Sequence, residues 1–183
     1  MEQTAIEFVP FRKIPRLSRE ATITEKLDGT NASIHITPDG QMLFGSRTRW
    51  ITPEDDNYGF ARWATANKDE LMKLGEGTHY GEWWGQGIQR NYGLTEKRFS
   101  LFNTARWLDD AVRPKCCHVV PVIYEGIFNT DSSAAAIELL KTQGSIAAPG
   151  FMKPEGVVVF HSAANLCFKK TIDKDDEWKG KSK

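Results

Sequence analysis

The sequence lacks any apolar run near the roughly 20 residues that cross a bilayer, and its first twenty residues lack the apolar core of a signal peptide. It also lacks internal repeats and low-complexity linkers that would divide its 183 residues. These absences predict one domain over residues 1–183, no membrane partner and a cytoplasmic location. A monomer is the default expectation.

Cysteine is scarce, and net charge is absent. Cys116 and Cys117 are adjacent, Cys167 stands alone, and no Cys/His spacing resembles a zinc site, so all three are expected to be structural thiols. The 24 basic residues balance 24 acidic ones. This balance argues against a strong, permanent nucleic-acid binder, because such domains are usually basic, but it allows an enzyme that meets nucleic acid transiently.

Hydrophobic periodicity predicts an α+β fold with antiparallel strands and flanking helices. Strands are expected at residues 21–26, 31–37 and 41–46 as one antiparallel meander, then at 79–84, 100–107, 119–126, 156–160 and 166–171. Residues 119–126 are continuously apolar, which is typical of a buried strand. One helix is expected over residues 57–74 with Trp63 in the core, and a second from a cap at Asp131 to Gly144.

The chemically suggestive segment is Lys26-Leu27-Asp28-Gly29, where a lysine ends a strand just before a tight turn. Taken alone, this pattern also fits a surface lysine beside a hairpin. Residues 24–31, TEKLDGTN, however, resemble motif I of the covalent nucleotidyltransferases, especially the RNA ligase family. Further motifs follow in that family's order at residues 46–48, 80–85, 100–103, 155–159 and 168–171.

The resemblance implies an ATP-grasp-like nucleotidyltransferase (ligase adenylation) domain. It implies an ATP-dependent RNA ligase, with Mg²⁺ or Mn²⁺, that forms a lysyl-AMP intermediate and joins 3′-OH and 5′-phosphate ends. RNA ends, or DNA ends, would be transient partners. Only residues 172–183 follow the last motif, which is too short for an OB-fold or other C-terminal domain.

The resemblance also implies residue roles. Lys26 would be the nucleophile, with Lys169 and Glu155 as the other catalytic residues and Glu155 as the metal ligand. The nucleotide would be bound by the backbone of Thr24 and Glu25 and by the side chains of Asn31, Arg47, Glu82, Phe102, Lys169 and Lys170. Phe102 would stack on adenine, and Glu82 would accept hydrogen bonds from the ribose. Asp28 is expected to brace its loop.

Several points stay open in the sequence. The last motif normally reads Lys-x-Lys, but here the lysines are adjacent; Lys169 is favoured as the phosphate contact and Lys170 is the alternative. Phe102 could be core, Glu82 a surface acid, and Arg47 and Asn31 structural. Residues 85–93, with Arg90, are a hypothetical contact for nucleic acid. Alternative functions are a minimal DNA ligase, a capping-type guanylyltransferase, or a nucleotide-binding module that no longer ligates.

Overall fold

A computed structural model describes residues 7–173, so residues 1–6 and 174–183, at the two ends of the predicted domain, lie outside it. Its strands are β1 (Glu20–Lys26), β2 (Thr30–Ile36), β3 (Met42–Gly45), β4 (Trp50–Ile51), β5 (Gly77–Gly85), β6 (Lys97–Leu101), β7 (His118–Val119), β8 (Val122–Ile127), β9 (Gly156–His161) and β10 (Leu166–Thr171). Its α-helices are α1 (Phe60–Ala66), α2 (Lys68–Leu71), α3 (Thr104–Trp107) and α4 (Thr130–Gln143), and a 3-10 turn spans Met72–Leu74. None of the helices described is long and apolar enough to span a membrane.

The strands form two sheets, with orders β10-β9-β1-β8 and β4-β3-β2-β5-β6-β7, antiparallel except for the β6–β7 pair. The predicted α+β class with antiparallel sheets is confirmed. The predicted meander of the first three strands is wrong, because β1 lies in the first sheet and β2 in the second. Lys26 therefore ends its strand at the junction between the two sheets.

Gly29 makes the passage between the sheets possible. A Cβ at this position would lie 2.3 Å from the Trp83 carbonyl oxygen and 2.7 Å from Trp84 Cβ, so the chain crosses β5 too closely for any side chain. The Lys-x-Asp-Gly segment is thus a crossing between sheets, and not a hairpin turn.

Each sheet buries one face and leaves the other free for function. α4 packs on the first sheet through a cluster of Ala21, Ile23, Ala136, Ile137, Leu140, Val157 and Val159. The short helices cover the second sheet through a larger cluster that includes Ile34, Phe60, Leu71, Trp83 and Phe99. A third cluster, Leu27, Trp84, Tyr92, Val120 and Ala148, packs beside the end of β1. The residue just after Lys26 is therefore fixed by a core of its own.

Local chemistry explains where the element predictions were wrong. The predicted helix over 57–74 is broken at Asn67, whose side chain donates to the Trp63 carbonyl, although Trp63 does pack on the core. Residues 100–107 are not one strand, because β6 ends at Leu101 and Asn103 caps α3.

The predicted buried strand over residues 119–126 is also divided. Pro121 lacks an N–H and separates β7 from β8, and β8 is an edge strand that is only half buried. The cap of α4 is Asn129 in place of Asp131, and Gly144 ends the helix as predicted.

The cysteines are free thiols, as expected, but they differ in environment. Cys117 is buried and Cys116 is half buried, whereas Cys167 is exposed on β10. The expectation of three structural thiols therefore does not hold for Cys167, which packs in no core.

Candidate functional site

Lys26 and Glu155 form an ion pair at the junction of the sheets. Lys26 Nζ lies 2.6 Å from Glu155 Oε2, and the two side chains are 23% and 18% exposed. Gly156 follows at φ +154°, and a Cβ there would lie 2.2 Å from the Lys170 carbonyl oxygen, so β10 can approach only a glycine. The pair is therefore only partly exposed.

The register of the first sheet defines the face on which Lys26 lies. Thr24 is opposite Val158 on β9, and Val158 is opposite Lys169 on β10, so all three share the face of Lys26. The β1–β8 register shifts between Ile23 and Thr24, and bulges of this kind re-aim strands beside active sites. The structure therefore brings Thr24 and Lys169 to the Lys26 face.

Lys170 lies on the other face. It is opposite Val157, which is buried in the cluster beneath α4. Of the two adjacent lysines, the register places only Lys169 on the open face.

Glu25 has its side chain engaged away from that face. The carboxylate is only 1% exposed and accepts hydrogen bonds from Ser145 Oγ at 2.6 Å and from the N–H groups of Ile146 and Ala147, each at 2.9 Å. Burial raises the pKa of Glu25, while these three donors oppose the rise. Its backbone N–H donates to the Pro121 carbonyl. The side chain is thus an anchor for the 145–148 loop.

The second sheet contributes a row of polar side chains. Asn31, Glu82 and Ser100 are opposite one another on β2, β5 and β6 and share a face. Glu82 accepts from the Gly29 N–H at 3.0 Å and from Asn31 Nδ2 at 3.2 Å. The alternative that Glu82 is a surface acid is excluded, because this residue is buried.

Phe102 extends this face beyond β6. Its N–H donates to the Tyr80 carbonyl, which continues the β5–β6 register by one pair. Its side chain is 41% exposed, so the alternative that it belongs to the core is wrong. Its exposed position suits stacking on a planar ligand.

Glu82, Lys26 and Glu155 influence one another electrostatically. The pKa of Glu82 is raised to about 7, and burial is the largest cause. Glu155 and Asp28 act in the same direction, whereas the Gly29 N–H and Lys26 act against the rise. The groups at the end of β1 and on β5 therefore form one constellation.

The raised pKa of Glu82 predicts a pH-dependent stability. The folded protein holds this proton more tightly than the unfolded chain, whose ordinary pKa is 4.5, so stability from this group is complete below pH 4.5 and is lost as pH rises through about 7. The shift corresponds to at most about 3 kcal/mol. Glu82→Gln, which cannot ionise, should become progressively more stable relative to wild type between pH 5 and pH 8 in chemical denaturation. The exposed Glu54→Gln is the control, and parallel profiles for all three proteins would contradict the prediction.

Arg47 lies in the turn after β3 and is exposed. Among the ion pairs of residues 7–173, none involves Arg47. It follows Gly45 by two residues, in the turn that leads to β4. A free guanidinium at this place can meet an anionic ligand.

The 85–93 loop holds Arg90, for which a contact with nucleic acid stays a prediction. Arg90 Nε donates to Asp28 Oδ2 at 2.8 Å, and its Nη1 donates to the Lys153 carbonyl at 3.1 Å. Tyr92 Oη accepts from the Asp28 N–H at 2.8 Å. Arg90 is therefore committed within the protein, and Asp28 braces its loop as expected. Arg90 joins the segment after Lys26 to the segment before Glu155.

The donor chemistry at the cleft fits a divalent metal shared with a phosphate. Within residues 7–173 no group of three or more His, Cys, Asp and Glu side chains could hold a metal without help. Mg²⁺ is commonly held by one or two carboxylates together with substrate phosphates and waters. Glu155 is suitably placed to be such a carboxylate.

Sequence reasoning missed three contributors to the site: Val158, Arg90 as a brace, and Ser145. Val158 lies in the predicted strand after Glu155, but its place beside Thr24 depends on the pairing of β9 with β1, which the sequence does not show. Ser145 is 120 residues from Glu25, and no local pattern indicates such a contact.

Comparisons with known proteins agree with this fold. A Naegleria gruberi RNA ligase, as a lysine-to-alanine mutant with ATP and Mn, is similar with a TM-score of 0.60 and 21% identity, over 83% of this chain and 48% of that chain. A lysine-to-methionine mutant of the same ligase with AMP and Mn has a TM-score of 0.57 and 19% identity, over 85% of this chain and 50% of that chain. The ligase with PPi has a TM-score of 0.59 and 21% identity, over 84% of this chain and 50% of that chain.

This chain thus spans about half the length of those structures, and at such identities the likeness shows a shared fold. No curated protein matches. The family model described as RNA ligase matches residues 19–172, which hold every element of the site described above. The chain belongs to the RNA ligase family.

Proposed function

We propose that this protein is an ATP-dependent RNA ligase that acts through a covalent AMP adduct on Lys26. The observation that supports it most is the convergence of Lys26, Glu155 and Glu82 at the junction of two sheets whose open faces hold Thr24, Lys169, Asn31 and Phe102. This is one nucleophile with acceptors for a ribose and cations for phosphates.

In the first step, Lys26 Nζ attacks the α-phosphorus of ATP. A nitrogen–phosphorus bond forms, the bond to the bridging oxygen breaks, and pyrophosphate leaves. Lysine attacks only when neutral, so Nζ must first lose a proton. Glu155 Oε2, 2.6 Å away, can pass this proton to solvent before the carboxylate would take up a metal.

Cationic side chains would stabilise the charge that gathers on the phosphoryl oxygens. Lys169, on the Lys26 face, is suited to the α-phosphate, and Arg47 to a phosphate at the cleft mouth. Mg²⁺ or Mn²⁺, held by Glu155 and the phosphates, would offset the triphosphate's negative field. Glu82 would accept from the ribose hydroxyls, and Phe102 would stack on adenine.

In the following steps, an oxygen of the RNA 5′-phosphate attacks the lysyl-AMP phosphorus and frees Lys26. The 3′-OH then attacks the activated 5′-phosphate, so that a phosphodiester forms and AMP leaves. Because the chain spans half the length of its structural relatives, these later steps are the larger part of the proposal.

Labelling the purified protein with radioactive ATP or GTP, with Mg²⁺, tests the first step. We expect label from ATP that survives denaturation, and none from GTP. The labelled protein is then chased with matched nicked duplexes that carry RNA or DNA at the junction. Faster release and sealing on RNA supports the proposal, faster sealing on DNA indicates a DNA ligase, and label that never discharges indicates a module that no longer ligates. Label from GTP alone, or from neither nucleotide, would refute it.

A further inference from the structure

A second row of side chains crosses the open face of the second sheet, one pair beyond the Asn31–Glu82 row. Trp50 on β4 is opposite Gly45 on β3, Gly45 is opposite Ser33 on β2, and Ser33 is opposite Tyr80 on β5. Opposed residues in antiparallel strands share a face, so Trp50 and Tyr80 flank a floor of two small residues.

Both aromatic side chains are exposed. Trp50 is 59% and Tyr80 is 62% exposed, although large aromatic residues are usually among the more buried. Neither covers the core, because the core lies beneath the other face, where Ile51 and Ile34 are buried. The fold therefore presents two exposed rings on the side where the proposed nucleotide site lies, with His35 beside Trp50 and Phe102 opposite Tyr80.

The two residues between the rings, Gly45 and Ser33, have to be small. A Cβ at Gly45 would lie 2.5 Å from Ser33 Oγ and 3.6 Å from the Trp50 ring. The Trp50 ring thus leans over Gly45, next to His35 at a centroid distance of 6.2 Å. With strands about 4.8 Å apart, the backbones of Trp50 and Tyr80 are about 14 Å apart, which leaves room for planar groups between them.

Trp50 is held in place by its neighbours along the chain. Arg49 forms a forked ion pair with Asp55 and also donates from Nη1 to the Trp50 carbonyl at 3.3 Å. Ile51, the next residue, is buried. The segment that carries Trp50 therefore loses little conformational entropy when a ligand stacks on the ring.

We infer that Trp50 and Tyr80 form a stacking platform for an unpaired base at the polynucleotide end that is to be joined; this rests on the proposed function. Charge selects this occupant over an apolar peptide. Arg47, which forms no ion pair among the described residues, lies in the turn between Gly45 and Trp50, and its guanidinium suits the phosphate attached to such a base. Aromatic platforms with adjacent cations are the usual means of holding single strands.

The test compares Trp50→Ala and Tyr80→Ala with wild type, Trp50→Phe and the exposed control Leu108→Ala. The probes are a short labelled single-stranded RNA and an abasic oligonucleotide of equal charge, and binding is followed by fluorescence anisotropy without ATP. Because stacking on one base is a sizeable part of single-strand affinity, we expect either alanine variant to bind the RNA on the order of tenfold more weakly. Trp50→Phe and Leu108→Ala should stay close to wild type.

Two further readings separate this inference from the proposed function. On the abasic probe, all five proteins should bind equally and weakly, because no base is present to stack. Covalent labelling by ATP should be the same in Trp50→Ala as in wild type. If the wild type itself were not labelled by ATP, that result would count against the proposed function and not against the platform. Wild type that binds RNA no better than the abasic probe, or alanine variants that lose equally on both probes, would overturn the platform.

Discussion

Lys26→Arg is expected to abolish covalent labelling by ATP, by at least about a thousandfold, while the protein stays folded. Arginine keeps the positive charge and can keep the ion pair with Glu155. Its guanidinium does not deprotonate near neutral pH, so it offers no nucleophilic nitrogen. The change therefore removes the chemistry and leaves the electrostatics of the cleft. Stability should change by no more than about 1 kcal/mol, because the pair is partly exposed.

The adjacent lysines of β10 provide matched controls. Lys170→Arg alters a lysine on the face that α4 covers, so its labelling should equal that of wild type. Lys169→Ala alters the open face, and its labelling should slow without being abolished, because it removes charge stabilisation and not the nucleophile. Label that persists in Lys26→Arg, or that disappears in Lys170→Arg, would contradict the assignment of Lys26.

The strands could be predicted from the sequence because alternation is local, but their assignment to sheets could not. β1 pairs with β8 and β9, which follow it by about a hundred residues or more, and nothing in the run from Thr24 to Ile36 shows that the chain leaves one sheet for another at Gly29. Proximity along the chain favoured a meander. In the structure, Gly29 instead passes close to β5 and takes the chain from the first sheet to the second. The junction that holds Lys26 is therefore a tertiary property.

The candidate site shows the same division. The resemblance to the family's motifs implied Lys26, Glu82 and Glu155, and the structure brings these three together. The choice between Lys169 and Lys170 required the register of β10, because adjacent residues in a strand point to opposite faces and the motif itself is ambiguous. The ion pair of Arg90 with Asp28 could not be predicted, because the two residues are 62 positions apart and no local pattern links them.

Glu25→Ala is expected to lower the free energy of unfolding by about 3–5 kcal/mol, a large share of a small domain's stability. The buried carboxylate is the acceptor for Ser145 Oγ and for the N–H groups of Ile146 and Ala147. Alanine leaves these three donors without a partner in a space that water must then enter. The anchored loop contributes Ala148 to the cluster that fixes Leu27, so the position of Lys26 should loosen as well.

Urea denaturation of three variants separates the anchor from a general loss of charge. Glu25→Gln keeps the shape and one acceptor oxygen, so its loss should be about half that of alanine. Glu20→Ala removes an exposed glutamate from the same strand and should change stability by less than about 0.5 kcal/mol. Equal losses for Glu25→Ala and Glu20→Ala would show that the hydrogen bonds do not stabilise the loop. Because Lys26 directly follows Glu25, labelling by ATP should fall in the same order as stability: wild type, then glutamine, then alanine.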